Sequence, residues 1–281
     1  MRILVSGASG LVGSAIVRRF ASPADEVVRL VRRESGPGPA EVPWNPEAGT
    51  IAAEGLEGLD AVVHLAGENL GTGRWTRAKK ARIRTSRVDG TRLLASALAG
   101  LKRPPKVLIS ASAVGFYGNR GDEELDEQSP PGTGFLAGLC RDWEAATEPA
   151  AQAGIRVVTA RFGVILAREG GALARMLPIF RLGLGGRLGS GRQFMSWITL
   201  DDALGALRFV VADDSLSGPV NLVAPNPVTN REFTKTLGRV LHRPTLLPAP
   251  ALALRIALGE MAGEMLLASA RVLPRRLLAS G

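Results

Sequence analysis

The chain has 281 residues, 46% hydrophobic and 22% charged, which gives enough apolar material for one large or two modest packed domains and too much for a disordered or fibrous chain. No run of 18 apolar residues occurs, and the first apolar stretch, Ile3 to Val5, breaks at once into Ser6-Gly7-Ala8-Ser9-Gly10, so neither a membrane span nor a secretion-signal core is expected. The lone cysteine, Cys140, excludes an intrachain disulfide and a cysteine-based zinc site, which fits a reducing, cytoplasmic setting. Lys and Arg number 35 against 26 Asp and Glu, a net charge of +9, and only five of the 35 are Lys. Arginine is the planar, permanently charged partner of phosphate, so the excess points to nucleic acid, to a phosphorylated cofactor, or to an arginine-favouring composition. Aromatics at 5% and arginines scattered apart from 18–19, 32–33 and 275–276 argue against nucleic acid as a partner.

Along the chain, short apolar runs alternate with helical periodicity. Arg2 to Ser6 reads as a strand, Leu11 to Ala21 as a helix with Val12, Ile16, Val17 and Phe20 on its apolar face, and Glu26 to Val31 as a second strand. Leu59 to Ala66 is a strand, Thr76 to Leu101 a helix, Lys106 to Ser110 a strand, 136–152 a helix, and Ile155 to Arg161 a strand. This alternation predicts an α/β fold, a Rossmann-type doubly wound parallel sheet with a smaller, mostly helical C-terminal lobe. Beyond Phe162 the texture changes. Gly183 to Gly191 reads as a low-complexity linker, or as glycines that let backbone approach a ligand closely, 193–199 as a strand, 201–212 as a helix and Pro219 to Val223 as a strand, and the tail from Thr229 is helical except at Pro244 to Pro250. The expected division is a cofactor-binding domain of residues 1–165 with 196–227, and a substrate lobe of 166–195 and 228–281.

The glycine-rich turn Gly7-Ala8-Ser9-Gly10-Leu11-Val12-Gly13 lies directly between a strand and a helix. There, backbone N–H groups and the helix dipole meet a pyrophosphate, which makes Gly7, Ser9, Gly10, Leu11 and Val12 cofactor contacts. The GxxGxxG spacing resembles that of short-chain dehydrogenases/reductases. Strand two chooses between cofactors. A terminal carboxylate would accept from the ribose 2′-hydroxyl of NAD, whereas this strand runs into Arg32-Arg33 with no acid before Glu34, so NADP (NADPH) is expected, with Arg32 and then Arg33 on the 2′-phosphate.

Several longer phrases accompany these motifs: VPWNP at 42–46, LDAVVHLAG at 59–67, Glu68-Asn69, Arg74-Trp75-Thr76, SASAVGFYG at 110–118, FLAGLCRDWE at 135–144, RFGVIL at 161–166, SWITLDD at 196–202 and RVLPRRL at 271–277. Together they resemble the extended, atypical short-chain dehydrogenases/reductases of the NAD-dependent epimerase/dehydratase type, in particular the "epimerase family proteins". The resemblance spans nearly the whole chain. It implies cofactor contacts at Leu65, Ala66 and Gly67, on the helix bearing Arg82, Ser86 and Arg87, and at Val164 beside the nicotinamide. It also implies a short segment after RVLPRRL, so an end shortened relative to the family is expected.

The superfamily's catalytic pattern is a Tyr with a Lys four residues later and a Ser or Thr on the substrate oxygen, the cation serving to lower the phenol pKa. Aligned on SASA and on Glu144, this chain has Ser112 in the serine place, Leu136 in place of Tyr and Cys140 in place of Lys. Ser112, Tyr117 from the adjoining loop, and Glu68 are the candidate catalytic residues; Glu68, or Asp142, would serve as general base if burial raised its pKa. Cys140 is expected as a buried small hydrophobe, His64 as a structural histidine on an apolar strand, and His242 carries no assignment. No metal-ligand spacing and no GxSxG motif is present. The expected partner is a small molecule, a nucleotide sugar or a carbonyl compound, with no membrane role. The rival expectation is a non-catalytic NADP(H)-binding sensor or partner protein.

Overall fold

The computed structural model describes residues 1–32, 38 and 40–281. Strand β1 (Arg2–Ser6) is followed by helix α1 (Leu11–Phe20), β2 (Glu26–Val31), β3 (Glu41–Asn45), β4 (Thr50–Ile51), β5 (Ala61–His64), α2 (Arg77–Ala99), β6 (Val107–Ala113) and α3 (Phe135–Ala145). With strands Arg156–Phe162 and Gly218–Leu222 they form an eight-stranded sheet ordered Gly218–Leu222, Arg156–Phe162, β6, β5, β1, β2, β3, β4. Every pairing is parallel except β3 with β4.

Alternation along β1 explains why the sheet is covered on both faces. Ile3 and Val5 enter a core with Ile16 and Phe20 of α1 and Leu204 and Leu207 of helix Leu200–Ala212. Leu4, one residue out of phase, enters the opposite core with Val28, Leu30, Val62 and the α2 residues Leu94 and Leu98. Every side chain in this set is 4% exposed or less. Each such side chain stabilises the fold by about 2 kcal/mol.

Four features depart from expectation. The pair β3 and β4 was not anticipated, because Pro43 and the prolines around it argue against a strand; Glu41–Asn45 nonetheless pairs with β2, and Trp44 packs edge-on against the His64 ring with centroids 6.0 Å apart. The segment 183–191 is no linker. A Cβ on Gly186 would stand 1.7 Å from the Leu247 carbonyl oxygen, and Gly189 N–H and Arg187 C=O bond to Ala249, so the glycines admit the proline-rich backbone itself. The tail is not uniformly helical either. Arg271–Val272 pairs in parallel with Glu124–Leu125, and Asn221 Nδ2 donates to the Leu273 carbonyl at 3.0 Å, tying the end of the chain to the sheet's edge strand. The helix expected over 136–152 divides at Thr147, where Pro149 opens a second short helix, Glu148–Gln152.

Candidate active site and cofactor crevice

The strand order reverses at β1, with β2 to one side and β5 to the other, so a crevice opens at the carboxyl ends of β1 and β5 beside the start of α1. Gly7 has a positive φ of 65°, and a side chain there would strike the Leu65 carbonyl at 2.9 Å; a Cβ on Gly13 would stand 2.2 Å from the Gly7 oxygen. Gly10 N–H closes the turn onto Gly7 O at 2.9 Å. Ser9 and Gly10 are exposed, Leu11 and Val12 half-buried, and the first turn of α1 holds no acidic residue, so its unsatisfied N–H groups and positive dipole end face the crevice. The cradle fits a pyrophosphate.

The crevice floor is set by a buried polar chain. Ser6 Oγ accepts from Leu65 N–H at 2.9 Å and Ala66 N–H at 3.1 Å, which leaves its single proton for His64 Nδ1 at 2.7 Å. Nε2 of His64 therefore carries the ring proton and donates to Thr91 Oγ1 at 3.0 Å, which also accepts from Trp143 Nε1 at 2.9 Å. Burial alone holds the His64 pKa down at about 4, so the ring is neutral at pH 7 and acts as a rigid spacer, the structural part expected of it. Leu65 and Ala66 are thus positioned by residues from three separate segments.

Beside them lies a cationic wall built by α2. Thr76 caps this helix, and Lys79 in its first turn bonds Glu68 Oε1 at 2.5 Å. Ser86 Oγ accepts from Glu68 N–H at 2.9 Å, and Arg87 Nη1 donates to the Glu68 carbonyl at 2.9 Å, so the Gly67-Glu68 loop is fastened at three points. The hydrogen bond from Lys79 holds the Glu68 carboxyl below the usual carboxylate range against partial burial, and the charges of Lys79, Arg82 and Arg32 add to the effect. Asp142 is likewise lowered, first by its bond to Arg84. The condition on which Glu68 or Asp142 was expected to act as a base, a pKa raised by burial, is not met. Arg32 and Arg82 are exposed, and the charge of each reaches the Glu68 carboxyl; Arg33 lies outside the described residues. Lys79, only 7% exposed, was missed, because Lys79-Lys80 reads as a solvated helix face.

Arg87 is the outlier in this wall. It is 8% exposed, its Nε is buried without a partner, its guanidinium lies 5.0 Å from the Trp143 ring centroid, and among the described residues no carboxylate pairs with it. Desolvation pulls its pKa down to about 10. It faces a cavity of about 620 Å3 that is also lined by Leu11, Ala113, Leu136, Cys140 and Val164. Burial, and then the charge of Glu144, push the Cys140 thiol up to about 12, so it is a neutral group, as expected of a small hydrophobe. The cavity is also lined by Glu264 from the C-terminal segment, which accepts from Phe135 N–H at 3.2 Å and Leu136 N–H at 3.0 Å at the start of α3. Glu264 was not anticipated. The signal open to a reader was one carboxylate in the apolar run Ala262 to Ala268.

Two proposed catalytic groups are placed elsewhere. Ser112 Oγ donates to Glu144 Oε1 at 2.6 Å, and Glu144 is held by Arg161 through two bonds of 2.8 Å. Tyr117 has no exposed surface: its phenol donates to Asn221 Oδ1 at 2.8 Å, accepts from Arg161 Nη1 at 3.0 Å, and is pushed up to about 12 by burial. Neither residue lines the cavity, although Ala113 and Val114 between them do. The strand β6 alternates, so Ser112 turns toward α3 and its carboxylate while Ala113 turns toward the open space. The structure therefore brings together the glycine loop, Leu65 to Glu68, Arg82, Ser86, Arg87 and Val164, and leaves Ser112 and Tyr117 in a separate buried network.

Comparison with known proteins places this geometry. Residues 3–222 match the model of the NAD dependent epimerase/dehydratase family, and residues 249–281 match a domain of unknown function, DUF1731, the segment that carries Glu264. An epimerase family protein of Mycobacterium tuberculosis is 49% identical over 279 residues, covering 99% of this chain and 92% of that one. The human epimerase family protein SDR39U1 is 38% identical over 284 residues, covering 100% and 94%. Its crystal structure with NADPH superposes with a TM-score of 0.91 at 38% identity, again over 100% and 94% of the two chains. A Corynebacterium glutamicum nucleoside-diphosphate sugar epimerase gives 0.80 at 39% identity, covering 100% of this chain and 54% of that one. UDP-glucose 4-epimerase from Thermus thermophilus, solved with NAD, shares the fold at 20% identity and a TM-score of 0.74. A match over most of the chain, agreeing with relatives of this identity, settles the matter: the chain is a member of the NAD dependent epimerase/dehydratase family.

Proposed function

We propose that the chain is an NADP(H)-binding oxidoreductase of the extended short-chain dehydrogenase type, acting on a small molecule whose reacting carbon sits in the cavity beside Val164. The observation that carries the reading is Arg87, a buried guanidinium without a carboxylate among the described residues, facing that cavity next to the glycine cradle. A buried charge of this kind calls for an anion, and the diphosphate or ribose of a dinucleotide supplies the acceptors. Arg87 also lies near Cys140, the position where the superfamily places its lysine, so α2 brings a cation to the cavity where α3 brings none.

In this reading residues 1–165 with 196–227 bind the cofactor, and 166–195 with 228–281 close over the substrate. The glycine-loop N–H groups and the α1 dipole hold the pyrophosphate, while Leu65, Ala66 and Gly67 follow the ribose. Arg32 takes the 2′-phosphate and so selects NADP over NAD; support comes from its position past the end of β2 and from the human relative's structure with NADPH. When bound, the cofactor supplies hydride transfer. The chain's part is to orient the substrate. Leu136 cannot ionise and the Cys140 thiol is held neutral, so the superfamily's Tyr and Lys have no titrating counterpart on α3.

A second reading, a non-catalytic NADP(H) sensor, is favoured by one observation: Leu136 and Cys140 line the cavity where a Tyr and a Lys would stand. NADPH oxidation followed by absorbance across carbonyl compounds separates the two, because turnover supports the enzyme, whereas tight binding with none on any class supports the sensor. For the cofactor choice, Arg32→Ala should weaken NADPH by about 1.5–3 kcal/mol, roughly 10- to 150-fold, and leave NADH little changed. Equal loss for both would remove the 2′-phosphate contact.

A further inference from the structure

We propose that the outer half of the cavity selects an uncharged substrate with a hydrocarbon body, carrying a single carbonyl or carbinol, and excludes nucleoside diphosphates, with Glu264 as the excluding group. The inference rests on the cofactor reading above and concerns only what lies beyond the cofactor.

Three observations carry it. First, the walls away from the glycine loop are apolar: Leu136, Leu139, Phe194, Met195, Met265 and Leu266 face the space. Methionine and leucine there offer dispersion contacts and a deformable surface but no partners for a polar ligand. Second, most polar side chains at that end are spent on the protein's own backbone. Ser196 Oγ donates to Ala270 O at 2.8 Å and accepts from Val272 N–H at 2.9 Å. Asn230 Oδ1 accepts from Leu188 N–H at 2.8 Å, and Asn119 Oδ1 from Ser269 N–H at 2.9 Å. These bonds rigidify the wall, and a hydrophilic ligand would have to break them to use the Ser196 hydroxyl or the two amide oxygens.

Third, the charges are of the wrong sign and in the wrong place for a diphosphate. Among the described residues lining the cavity, Arg87 is the single cation, and it lies at the cofactor end against the Gly67-Glu68 loop. The other charged group lining the cavity is Glu264, a carboxylate fixed by the Phe135 and Leu136 N–H groups at the start of α3. That carboxylate already occupies the start of α3, the place where a helix would otherwise attract an incoming phosphate. A nucleoside diphosphate would therefore face a like charge, no second cation and apolar walls, whereas a neutral hydrocarbon carbonyl meets matching surface.

The test uses the full chain saturated with NADPH, saturation being established first by cofactor fluorescence. UDP-glucose and 2-octanone are then titrated, with the bound cofactor's fluorescence and its oxidation as readouts. The expected result is saturable binding of 2-octanone at least about tenfold tighter than UDP-glucose. In Glu264→Gln the UDP-glucose affinity should rise while that of 2-octanone changes less than about twofold. The wild-type comparison stands whether or not that variant folds. UDP-glucose binding as tightly as 2-octanone or tighter, or neither compound saturating, overturns the selection while leaving the cofactor reading intact. Failure of NADPH itself to bind overturns the cofactor reading and, with it, this one.

Discussion

Replacement of Arg87 by Met separates a ligand-binding cation from a structural one. Held down to about 10 from an ordinary 12.5, the guanidinium costs the ligand-free protein about 3 kcal/mol at neutral pH. Its bond to the Glu68 carbonyl returns about 1.5–3 kcal/mol of that at most. Methionine keeps most of the length and the contact with Trp143 without the charge, so the ligand-free melting temperature should stay level or rise by up to about 5 °C. Affinity for NADPH should fall by the value of one charge-assisted contact, about 1.5–3 kcal/mol, or roughly 10- to 150-fold. Thermal melts with and without NADPH, together with a fluorescence titration, read both quantities on the same samples. A melting temperature lowered by more than about 5 °C with unchanged NADPH affinity would refute the reasoning, because it would make Arg87 a strut of the Gly67-Glu68 loop and nothing more.

Other substitutions test the remaining parts. Gly10→Val should abolish NADPH binding at nearly unchanged melting temperature, since a Cβ there meets only the Gly7 oxygen at 3.2 Å, whereas Gly13→Ala, at 2.2 Å from the same atom, should lower both; the reverse pattern would contradict the cradle. His64, at about 4 in the fold and 6.5 when unfolded, takes up a proton on unfolding below pH 6.5. Its contribution is complete above pH 6.5 and is lost as pH falls toward 4, about 2 kcal/mol by pH 5. Urea melts at pH 7 and pH 5 should show that loss in the wild type and a smaller one in His64→Gln; equal losses would show that another group is responsible. Tyr117→Phe leaves Asn221 Oδ1 and an Arg161 N–H without their partner, so stability should fall by about 1–3 kcal/mol while NADPH affinity and any turnover are kept. Lost turnover at kept affinity would put the phenol back in the chemistry.

The cofactor half of the molecule was legible because its signals are local. Ile3 to Val5, the glycine turn and the apolar face of α1 are adjacent in sequence, and adjacency alone makes the strand, turn and helix. Arg32 at the end of β2 was readable for the same reason. What escaped depends on partners far apart in the chain. Ser112 looked like a substrate contact until Glu144, 32 residues later, was found to accept its proton. Tyr117 looked available until Asn221, 104 residues on, was found to hold it. Glu68 needed Lys79 to reveal the sign of its shift, and Glu264 reaches α3 across more than 120 residues. The glycines at 183–191 were read for the freedom they give a backbone, but that freedom serves a close approach by Leu247 and Pro248, which no local pattern announces. Composition misled in one respect as well: most of the thirty arginines meet no phosphate in this account, and the informative ones are Arg32 and Arg87 by position.

The central claim is that the crevice between β1 and β5 holds NADPH, with Arg87 as the buried cation that meets it. Titration of the wild-type chain with NADPH and with NADH, followed by energy transfer from tryptophan, tests this directly because Trp143 lines the cavity. The account predicts saturable, one-to-one binding of NADPH, about tenfold or more tighter than NADH. Equal affinity for the two would contradict the role of Arg32, and no saturable binding of either would contradict the crevice as a cofactor site.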